Sequence, residues 1–192
     1  MLVLIVGPSG VGKDTLLFAA RDAFTQDNRI RFVRRVITQP PGIVGEDYDT
    51  MTPQEFELAR ESGAFAFTWR ANKLHYGVPA DISLDLAEGK IVVCIISRAL
   101  VAEAASRFPV WLIEIRAPAD LIARRLAARG WNDAVDIARR LARQIELPVP
   151  VEREIVNNDG TVAEGVRRLT AALNRAAAGA PPARTAGRTP PA

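Results

Sequence analysis

The amino-acid sequence predicts an α/β protein with a parallel central sheet between two layers of helices. Three observations support this prediction. Short, wholly apolar runs alternate with segments of helical periodicity, which is the pattern of parallel strands covered on both faces. The first apolar run leads directly into a glycine-rich turn and then a helical pattern. The chain has 192 residues, of which 48% are hydrophobic, and this is enough for one domain with a sizeable core.

The individual elements follow from the length of each run and from the residues that bound it. Pro109 and Pro118 flank the fourth strand, and Gly89 ends the helix before the third. We predict strands at residues 2–6, 30–36, 91–96, 110–116 and 154–157. We predict helices at residues 13–24, 53–62, 80–88, 98–107, 118–129, 134–146 and 161–176.

Two segments depart from this alternation. Residues 34–79 are richer in proline, glycine, aromatic and charged residues, and we predict that they form a small lobe inserted into a single domain of residues 1–175. Residues 176–192 contain mostly Ala, Pro, Gly and Arg without periodicity. A segment of that composition cannot bury enough apolar surface to fold, so we predict a disordered tail.

Composition argues against several classes of protein. The net charge is +3, but the tail contributes Arg184 and Arg188, and removing those two charges leaves +1. A nearly neutral body does not favour nucleic-acid binding. The single cysteine, Cys94, lies in an apolar strand and allows no disulfide framework. We see no signal peptide and no apolar run of about 18 residues, so we predict a cytoplasmic protein that does not bind membranes.

The glycine-rich turn predicts a phosphate-binding loop (P-loop). Residues 7–14 read Gly-Pro-Ser-Gly-Val-Gly-Lys-Asp, which matches G-x-x-x-x-G-K with Asp14 in place of the usual Ser or Thr. Backbone N–H groups and the helix dipole converge there, and Lys13 adds a charge for the β- and γ-phosphates. A turn that binds nothing is the alternative. The residues predicted to bind a nucleoside triphosphate are Gly7, Pro8, Ser9, Gly10, Val11, Gly12, Lys13, Asp14 and Thr15.

Asp14 is also a candidate metal ligand. A carboxylate oxygen suits Mg²⁺, and the later strand ends at Ile96, Arg116 and Asn157 offer no second acid. We therefore predict that Asp14 binds Mg²⁺ directly or through water, while Thr15 reaches the α-phosphate. The alternative is that Asp14 only stabilises the first turn of its helix.

A second cluster follows the predicted second strand. It comprises Arg34-Arg35-Val36-Ile37-Thr38-Gln39-Pro40, Gly45-Glu46-Asp47-Tyr48 and His75-Tyr76-Gly77. Together with the P-loop, this order resembles the guanylate kinase superfamily over residues 1 to about 170. The resemblance implies a three-layer P-loop kinase fold with a small inserted substrate lobe and a helical lid. It also implies that the lobe binds the phosphate acceptor through Arg34, Arg35, Thr38, Glu46, Asp47, Tyr48 and Tyr76.

Departures from guanylate kinases narrow the resemblance. Phe67 stands where those enzymes carry the acid that reads guanine, and Ser97 stands near a second acidic position. With Gly-Lys-Asp in the loop and Arg-Arg-Val-Ile-Thr in the lobe, the chain looks like the ribose 1,5-bisphosphate phosphokinases of phosphonate catabolism. These use ATP, with Mg²⁺, to make 5-phosphoribosyl 1-diphosphate. A guanylate kinase and a catalytically silent guanylate kinase-like interaction module are the alternatives. Gln39 and Trp131 stand where that family often has arginine.

A third cluster is rich in arginine. Arg125 and Arg129 are four residues apart, and Arg140 follows. The resemblance implies a lid at residues 124–140 whose arginines close over the transferred phosphate, so Lys13, Arg125, Arg129 and Arg140 are the predicted catalytic residues; a solvated basic helix face is the alternative. The resemblance also places Asn158 at a turn near the adenine.

Several single residues complete the set of expectations. His75, the only histidine, is predicted to pack in the lobe, and Phe67 to form an apolar wall of the acceptor site. Successive strand residues face opposite ways, so one of Arg34 and Arg35 should clamp the substrate while the other pairs with an acid such as Glu46 or Asp47. The expected partner is a small sugar phosphate, and a homodimer is left open.

Overall fold

The central sheet lies at the middle of the fold and consists of five parallel strands. The strands of both sheets are numbered together in chain order. The structure is a computed structural model, and it describes residues 1–40, 47–128 and 152–179. The strands of this sheet are β1 (Leu2–Val6), β2 (Ile30–Phe32), β7 (Ile91–Ile95), β8 (Val110–Arg116) and β9 (Arg153–Asn157). They run in the order β2-β7-β1-β8-β9.

Helices cover both faces of this sheet, which confirms the predicted fold class. One face packs against α1 (Lys13–Arg21), α5 (Ala119–Ala128) and α6 (Val162–Ala177). The other packs against α3 (Ile82–Ala87) and α4 (Val101–Arg107). All five residues of β1 are buried, because a central strand covered on both faces has no solvent side.

A second sheet covers part of the α3/α4 face. Its strands are β3 (Arg35–Ile37), β4 (Tyr48–Thr50), β5 (Phe65–Ala71) and β6 (Leu74–Pro79), in the order β4-β3-β6-β5. Helix α2 (Pro53–Glu61) begins at a capping box in which Thr52 and Glu55 satisfy each other's backbone N–H groups. Phe56 of this helix stacks on Phe65 with ring centroids 4.6 Å apart, which fixes the helix to the sheet.

The predicted strand at residues 30–36 is wrong, because it is two strands in two different sheets. β2 pairs with β7 in the central sheet, and the Val33 N–H still donates to the Val93 carbonyl at 2.9 Å. The chain then turns at the exposed Arg34, and β3 pairs with β4 and β6. An apolar pattern reports burial but not the partner strand, so it could not reveal this change of sheet.

Other differences concern boundaries. The helix predicted at 13–24 ends at Arg21, and a 3₁₀ turn at Asp22–Phe24 follows it. The helix predicted at 98–107 starts as a 3₁₀ turn at Arg98–Leu100. Strands β4, β5 and β6 were not predicted, since polar and aromatic residues alternate there without a wholly apolar run. The helix predicted at 134–146 lies outside the described residues, as does the tail beyond residue 179.

Two further expectations can be compared with the fold. Cys94 is fully buried in β7 as predicted, and burial raises the pKa of its thiol to about 12, so the thiol stays protonated. Among the described residues, none of the helices has the length and apolar character that a membrane span requires.

Candidate active site

The P-loop joins β1 to α1 at the carboxyl edge of the central sheet. Gly12 caps α1 in the left-handed region at φ 95°, and Lys13 is the first helical residue. The Lys13 ammonium turns back over the loop and donates to the carbonyls of Gly7 at 2.9 Å and Pro8 at 3.0 Å. The cation is therefore held inside the turn, where backbone N–H groups and the helix N-terminus favour a phosphate.

Two of the loop glycines are required by close contacts. A Cβ on Gly7, at φ 151°, would lie 2.5 Å from the Ile115 carbonyl oxygen of β8. A Cβ on Gly12 would lie 2.6 Å from Nδ2 of Asn158. Both distances are shorter than real Cβ contacts, so the loop can pack against β8 and the end of β9 only without these side chains.

Two side chains from other elements hydrogen-bond to the backbone carbonyl at the centre of the P-loop. The buried Asn158 donates from Nδ2 to the Val11 carbonyl at 2.7 Å, and Nη1 of Arg125 donates to the same oxygen at 3.3 Å. The structure thus brings two predicted site residues to the P-loop from β9 and α5. The predicted contact of Asn158 with adenine stays a prediction, and the observed contact gives its amide a part in shaping the loop.

We expect Asn158→Ala to weaken nucleotide binding. Losing this donor leaves the buried Val11 carbonyl with only the longer bond to Arg125, and an unsatisfied buried group costs about 1–3 kcal/mol. The KM for ATP should rise about 5- to 100-fold, as measured by steady-state kinetics. Asn157→Ala is the matched control, because the exposed Asn157 side chain directly precedes it. An unchanged KM for ATP in a folded Asn158→Ala protein would contradict the supporting role.

A partly buried ion pair connects the P-loop helix to the second sheet. The guanidinium of Arg35 contacts the carboxylate of Asp14, and Arg35 is only 7% exposed. Its Cζ also lies 6.0 Å from the ring centroid of Tyr76. Sequence reasoning singled out these residues separately but did not predict that Arg35 would compensate the charge of Asp14.

Arg34 lies in the turn before β3 and contacts two acids of the second sheet and its approach. Its Nε lies 3.0 Å from Oδ1 of Asp47, and its Nη2 lies 2.9 Å from Oδ1 of Asp49. The prediction that one arginine of this pair binds an acid such as Asp47 is confirmed for Arg34. The arginine that remains next to the P-loop is Arg35.

An open cavity lies between α1, the carboxyl ends of β2 and β7, and the start of the second sheet. Arg21, at the end of α1, lines it and forms an ion pair with Asp47. Sequence reasoning missed Arg21. Its spacing from Asp14 could have indicated it, because residues seven apart lie on the same face of a helix. The lining residues are Asp14, Leu17, Phe18, Arg21, Phe32, Val33, Arg35, Asp47 and Ile95.

The remaining predicted substrate residues of the lobe make contacts within it. Oγ1 of Thr38 accepts a hydrogen bond from the His75 N–H at 2.9 Å. The Tyr48 hydroxyl donates to the Pro40 carbonyl at 3.2 Å. Tyr76 stacks on Trp69 with ring centroids 5.1 Å apart. Their predicted contacts with substrate stay predictions, and the internal contacts show how each side chain is held.

Phe67 does not form the predicted wall of an open acceptor site. It is 2% exposed, its ring lies edge-on to Phe108 at 6.2 Å, and the Arg107 guanidinium covers it at 4.7 Å. The strand alternation and a bulge near Phe65 direct this ring into the core. The position still has no carboxylate that could accept hydrogen bonds from guanine.

The carboxyl end of β8 carries one acid that sequence reasoning overlooked. Glu114 is 6% exposed and opposes Val6, the residue before the P-loop. It pairs with Arg116 at 2.8 Å and Arg153 at 3.1 Å, so its charge is already compensated. Burial lowers the pKa of the nearby Arg98 guanidinium. Within the described residues, no group of three potential metal-ligating side chains occurs.

The predicted lid can be compared with the structure only at its start. Arg124 is exposed and pairs with Asp120 one turn earlier, as a solvated helix face would. Burial lowers the pKa of the Arg125 guanidinium, which lies at the P-loop. Arg129, Trp131 and Arg140 lie outside the described residues, as does Glu46 of the lobe.

A P-loop after the central strand, the strand order β2-β7-β1-β8-β9 and a second sheet beside the loop define the class: a P-loop kinase fold of the guanylate kinase type. A solved structure of guanylate kinase from Anaplasma phagocytophilum has the same fold, with a TM-score of 0.64, 19% identity and coverage of 92% of this chain and 85% of that chain. No family model matches the chain.

Curated relatives define the family. The chain is 44% identical over 173 residues to a ribose 1,5-bisphosphate phosphokinase PhnN of Methylobacterium radiotolerans, covering 90% of this chain and 96% of that protein. It is 44% identical over 163 residues to the protein of the same name from Acidiphilium cryptum, covering 85% and 86%. The chain belongs to the ribose 1,5-bisphosphate phosphokinase family.

Some relatives are much longer. A bifunctional ribose 1,5-bisphosphokinase-thymidine phosphorylase of Cupriavidus pinatubonensis is 42% identical over 182 residues, which cover 93% of this chain and 30% of that protein. The chain therefore spans about a third of the length of such relatives.

Proposed function

We propose that this chain transfers the γ-phosphoryl group of ATP to the 1-phosphate of ribose 1,5-bisphosphate, forming 5-phosphoribosyl 1-diphosphate and ADP in phosphonate catabolism. The observation that carries the proposal is the contact between Arg35 and Asp14. This contact brings a cation of the second sheet to the residue that follows the P-loop lysine, and it supports an acceptor phosphate bound on this side of the loop. The names of the monofunctional relatives, which cover nearly the whole chain, support the same acceptor.

The residues present fit a nucleotide with Mg²⁺. The ion is commonly bound by one or two carboxylates together with substrate phosphates and water, and Asp14 supplies one carboxylate next to Lys13. Bound Mg²⁺ would neutralise charge on the phosphates during transfer. The ion pair between Asp14 and Arg35 holds the Asp14 carboxylate on the side of the P-loop that faces the second sheet.

The protein's own residues would act mainly by position and charge. An acceptor phosphate monoester is largely a dianion at neutral pH, because its second pKa is about 6, so no general base is required. Lys13 and Arg125 lie at the loop and meet the negative charge that spreads over the transferred group. Arg35 binds the acceptor from the opposite side. Arg129 and Arg140 are proposed to complete the cationic shell.

The decisive experiment is a comparison of acceptors. The protein is given ATP and Mg²⁺ with ribose 1,5-bisphosphate, GMP or AMP, and the diphosphate product is detected by ³¹P NMR. We expect ribose 1,5-bisphosphate to give by far the highest kcat/KM, because Phe67 supplies no carboxylate that could bind guanine. A site that hydrogen-bonds a substrate group can favour that substrate by up to about 10⁴–10⁵, and a site without the hydrogen-bonding group loses this preference. A kcat/KM for GMP that equals or exceeds that of the sugar would reject the proposal.

We expect Asp14→Asn to raise the Mg²⁺ concentration that gives half-maximal activity. An amide oxygen is a weaker ligand for Mg²⁺ than a carboxylate, so the shift should be at least about tenfold at fixed ATP. Asp22→Asn is the matched control, since Asp22 follows the same helix and is exposed. A direct titration with Mn²⁺, followed by electron paramagnetic resonance, gives a readout without turnover. An unchanged metal dependence with only a lower melting temperature would limit Asp14 to helix stabilisation.

Two broader expectations remain proposals. We propose that the chain acts in the cytoplasm, where a protein with one buried thiol needs no oxidising compartment. We also keep the homodimer as a proposal, which sedimentation equilibrium of the full chain would test.

A further inference from the structure

The cavity beside the P-loop has a cationic group at each end. Arg35 lies at the end next to Asp14, and Arg21 lies at the other end of α1. Asp14 and Arg21 are seven residues apart on this helix, so their backbones are separated by about 10 Å along its axis. Between them the lining is mostly apolar, formed by side chains that include Leu17, Phe18 and Val33.

We propose that Arg21 binds the 5-phosphate of the acceptor and so makes the site specific for a sugar that carries two phosphates. This inference rests on the proposed function, because it assumes that the 1-phosphate lies between Arg35 and the P-loop. Seven covalent bonds separate the two phosphorus atoms of ribose 1,5-bisphosphate, so an extended molecule spans roughly 7–9 Å at ordinary bond lengths. That span is comparable to the roughly 10 Å of helix axis between Arg21 and Asp14, the residue that Arg35 contacts. The sugar ring would then lie over the apolar lining.

The contacts of the Arg21 side chain suit this role. Its guanidinium is held by Asp47, and a carboxylate and a phosphate offer a guanidinium similar oxygen geometry. Asp47 is shared with Arg34, whose Nε lies 3.0 Å from it, and Arg34 also contacts Asp49 at 2.9 Å. Arg21 can therefore turn to a phosphate while Asp47 keeps a cationic partner. Asp47 then acts as a positioning residue that holds Arg21 at the cavity before substrate binds.

The exposure of Arg21 is compatible with such a movement. Its side chain is 38% exposed and that of Asp47 is 25% exposed, so neither is locked in the core. An ion pair with this much solvent contact contributes little to folding. Replacing Arg21 should therefore change ligand binding far more than the melting temperature.

The test uses ribose 5-phosphate, which keeps the distal phosphate and lacks the reacting one. For Arg21→Ala, we expect the Kd of ribose 5-phosphate, measured by calorimetry, and the KM for ribose 1,5-bisphosphate each to rise about 10- to 100-fold, as loss of a charged hydrogen bond predicts. The kcat, the KM for ATP and the inhibition constant of ribose 1-phosphate should change less than about threefold. Arg21→Lys should recover part of the affinity. Arg29→Ala is the matched control, because Arg29 is exposed and pairs with Asp27 away from the cavity.

The outcomes separate this inference from the proposed function. Unchanged binding of ribose 5-phosphate by a folded Arg21→Ala protein overturns the inference alone. Wild-type protein that binds ribose 5-phosphate but does not phosphorylate ribose 1,5-bisphosphate contradicts the proposed function alone. A loss of ribose 5-phosphate binding in Arg98→Ala but not in Arg21→Ala would place the distal phosphate beyond the end of β7 and would also overturn the inference. If the wild-type protein shows no measurable binding of ribose 5-phosphate, the inference is likewise overturned.

Discussion

Lys13→Ala is expected to lower kcat by about 10²–10³ without unfolding the protein. The ammonium is held inside the P-loop by the carbonyls of Gly7 and Pro8. Under the proposed function, negative charge would develop on the transferred group at this place. Removing one group that stabilises such charge costs about that factor in rate. The side chain lies at the first turn of α1 and outside both apolar cores, so its loss should leave the fold intact.

Steady-state kinetics with ribose 1,5-bisphosphate and circular dichroism melting test this expectation together. Lys73→Ala serves as the control, because Lys73 lies exposed in the turn between β5 and β6. Near-normal turnover by a folded Lys13→Ala protein, with the control also active, would be inconsistent with a catalytic P-loop in this chain.

Arg35→Ala should raise the KM for ribose 1,5-bisphosphate about 10- to 100-fold. Under the proposed function Arg35 binds the acceptor phosphate, and losing a hydrogen bond to a charged group costs about 1.5–3 kcal/mol. Arg35 is 7% exposed, and its contact with Asp14 holds the side chain in place. Arg34→Ala is the natural comparison, because this neighbouring arginine is 53% exposed. Exposed ion pairs contribute about 0–1 kcal/mol, so its effect on KM should stay within about fivefold.

A double-mutant cycle gives the sharper readout for Arg35. If the Arg35→Ala defect reflects lost acceptor binding, it should persist in the Asp14→Asn background. If it arises only because Asp14 is left without a partner, the double variant should recover most of the loss. Equal and large KM effects from Arg34→Ala and Arg35→Ala would contradict the division of roles between the two residues.

The two arginines also illustrate how far sequence reasoning could go. The prediction that one of them pairs with an acid such as Asp47 agrees with the Arg34–Asp47 contact. The strand alternation used for it does not apply, because Arg34 lies in the turn between β2 and β3. The partner of Arg35 could not be predicted, because Asp14 lies 21 residues earlier on a different element. For Phe67, the equivalent family position was identified, but the predicted exposure to the acceptor site was wrong. Its side chain lies in the core next to a bulge in β5.

The P-loop could be read from the sequence because its information is local. A buried strand, three glycines, a lysine and a helix are contiguous in residues 2–21, and the steric needs of each are met within that segment or by direct packing on it. The fold class was equally accessible, since alternating apolar runs and helical periods follow from burial on both faces of a parallel sheet.

The acceptor side depended on the folded chain. Residues 30–36 divide between two sheets, Arg35 meets Asp14, and Arg21 meets Asp47 across 26 residues of sequence. Each of these contacts is selected by strand pairing and by the packing of α1 beside the second sheet. Because many partners of equal charge and similar polarity compete along the chain, local pattern cannot choose among them, and only the close approach of distant segments does.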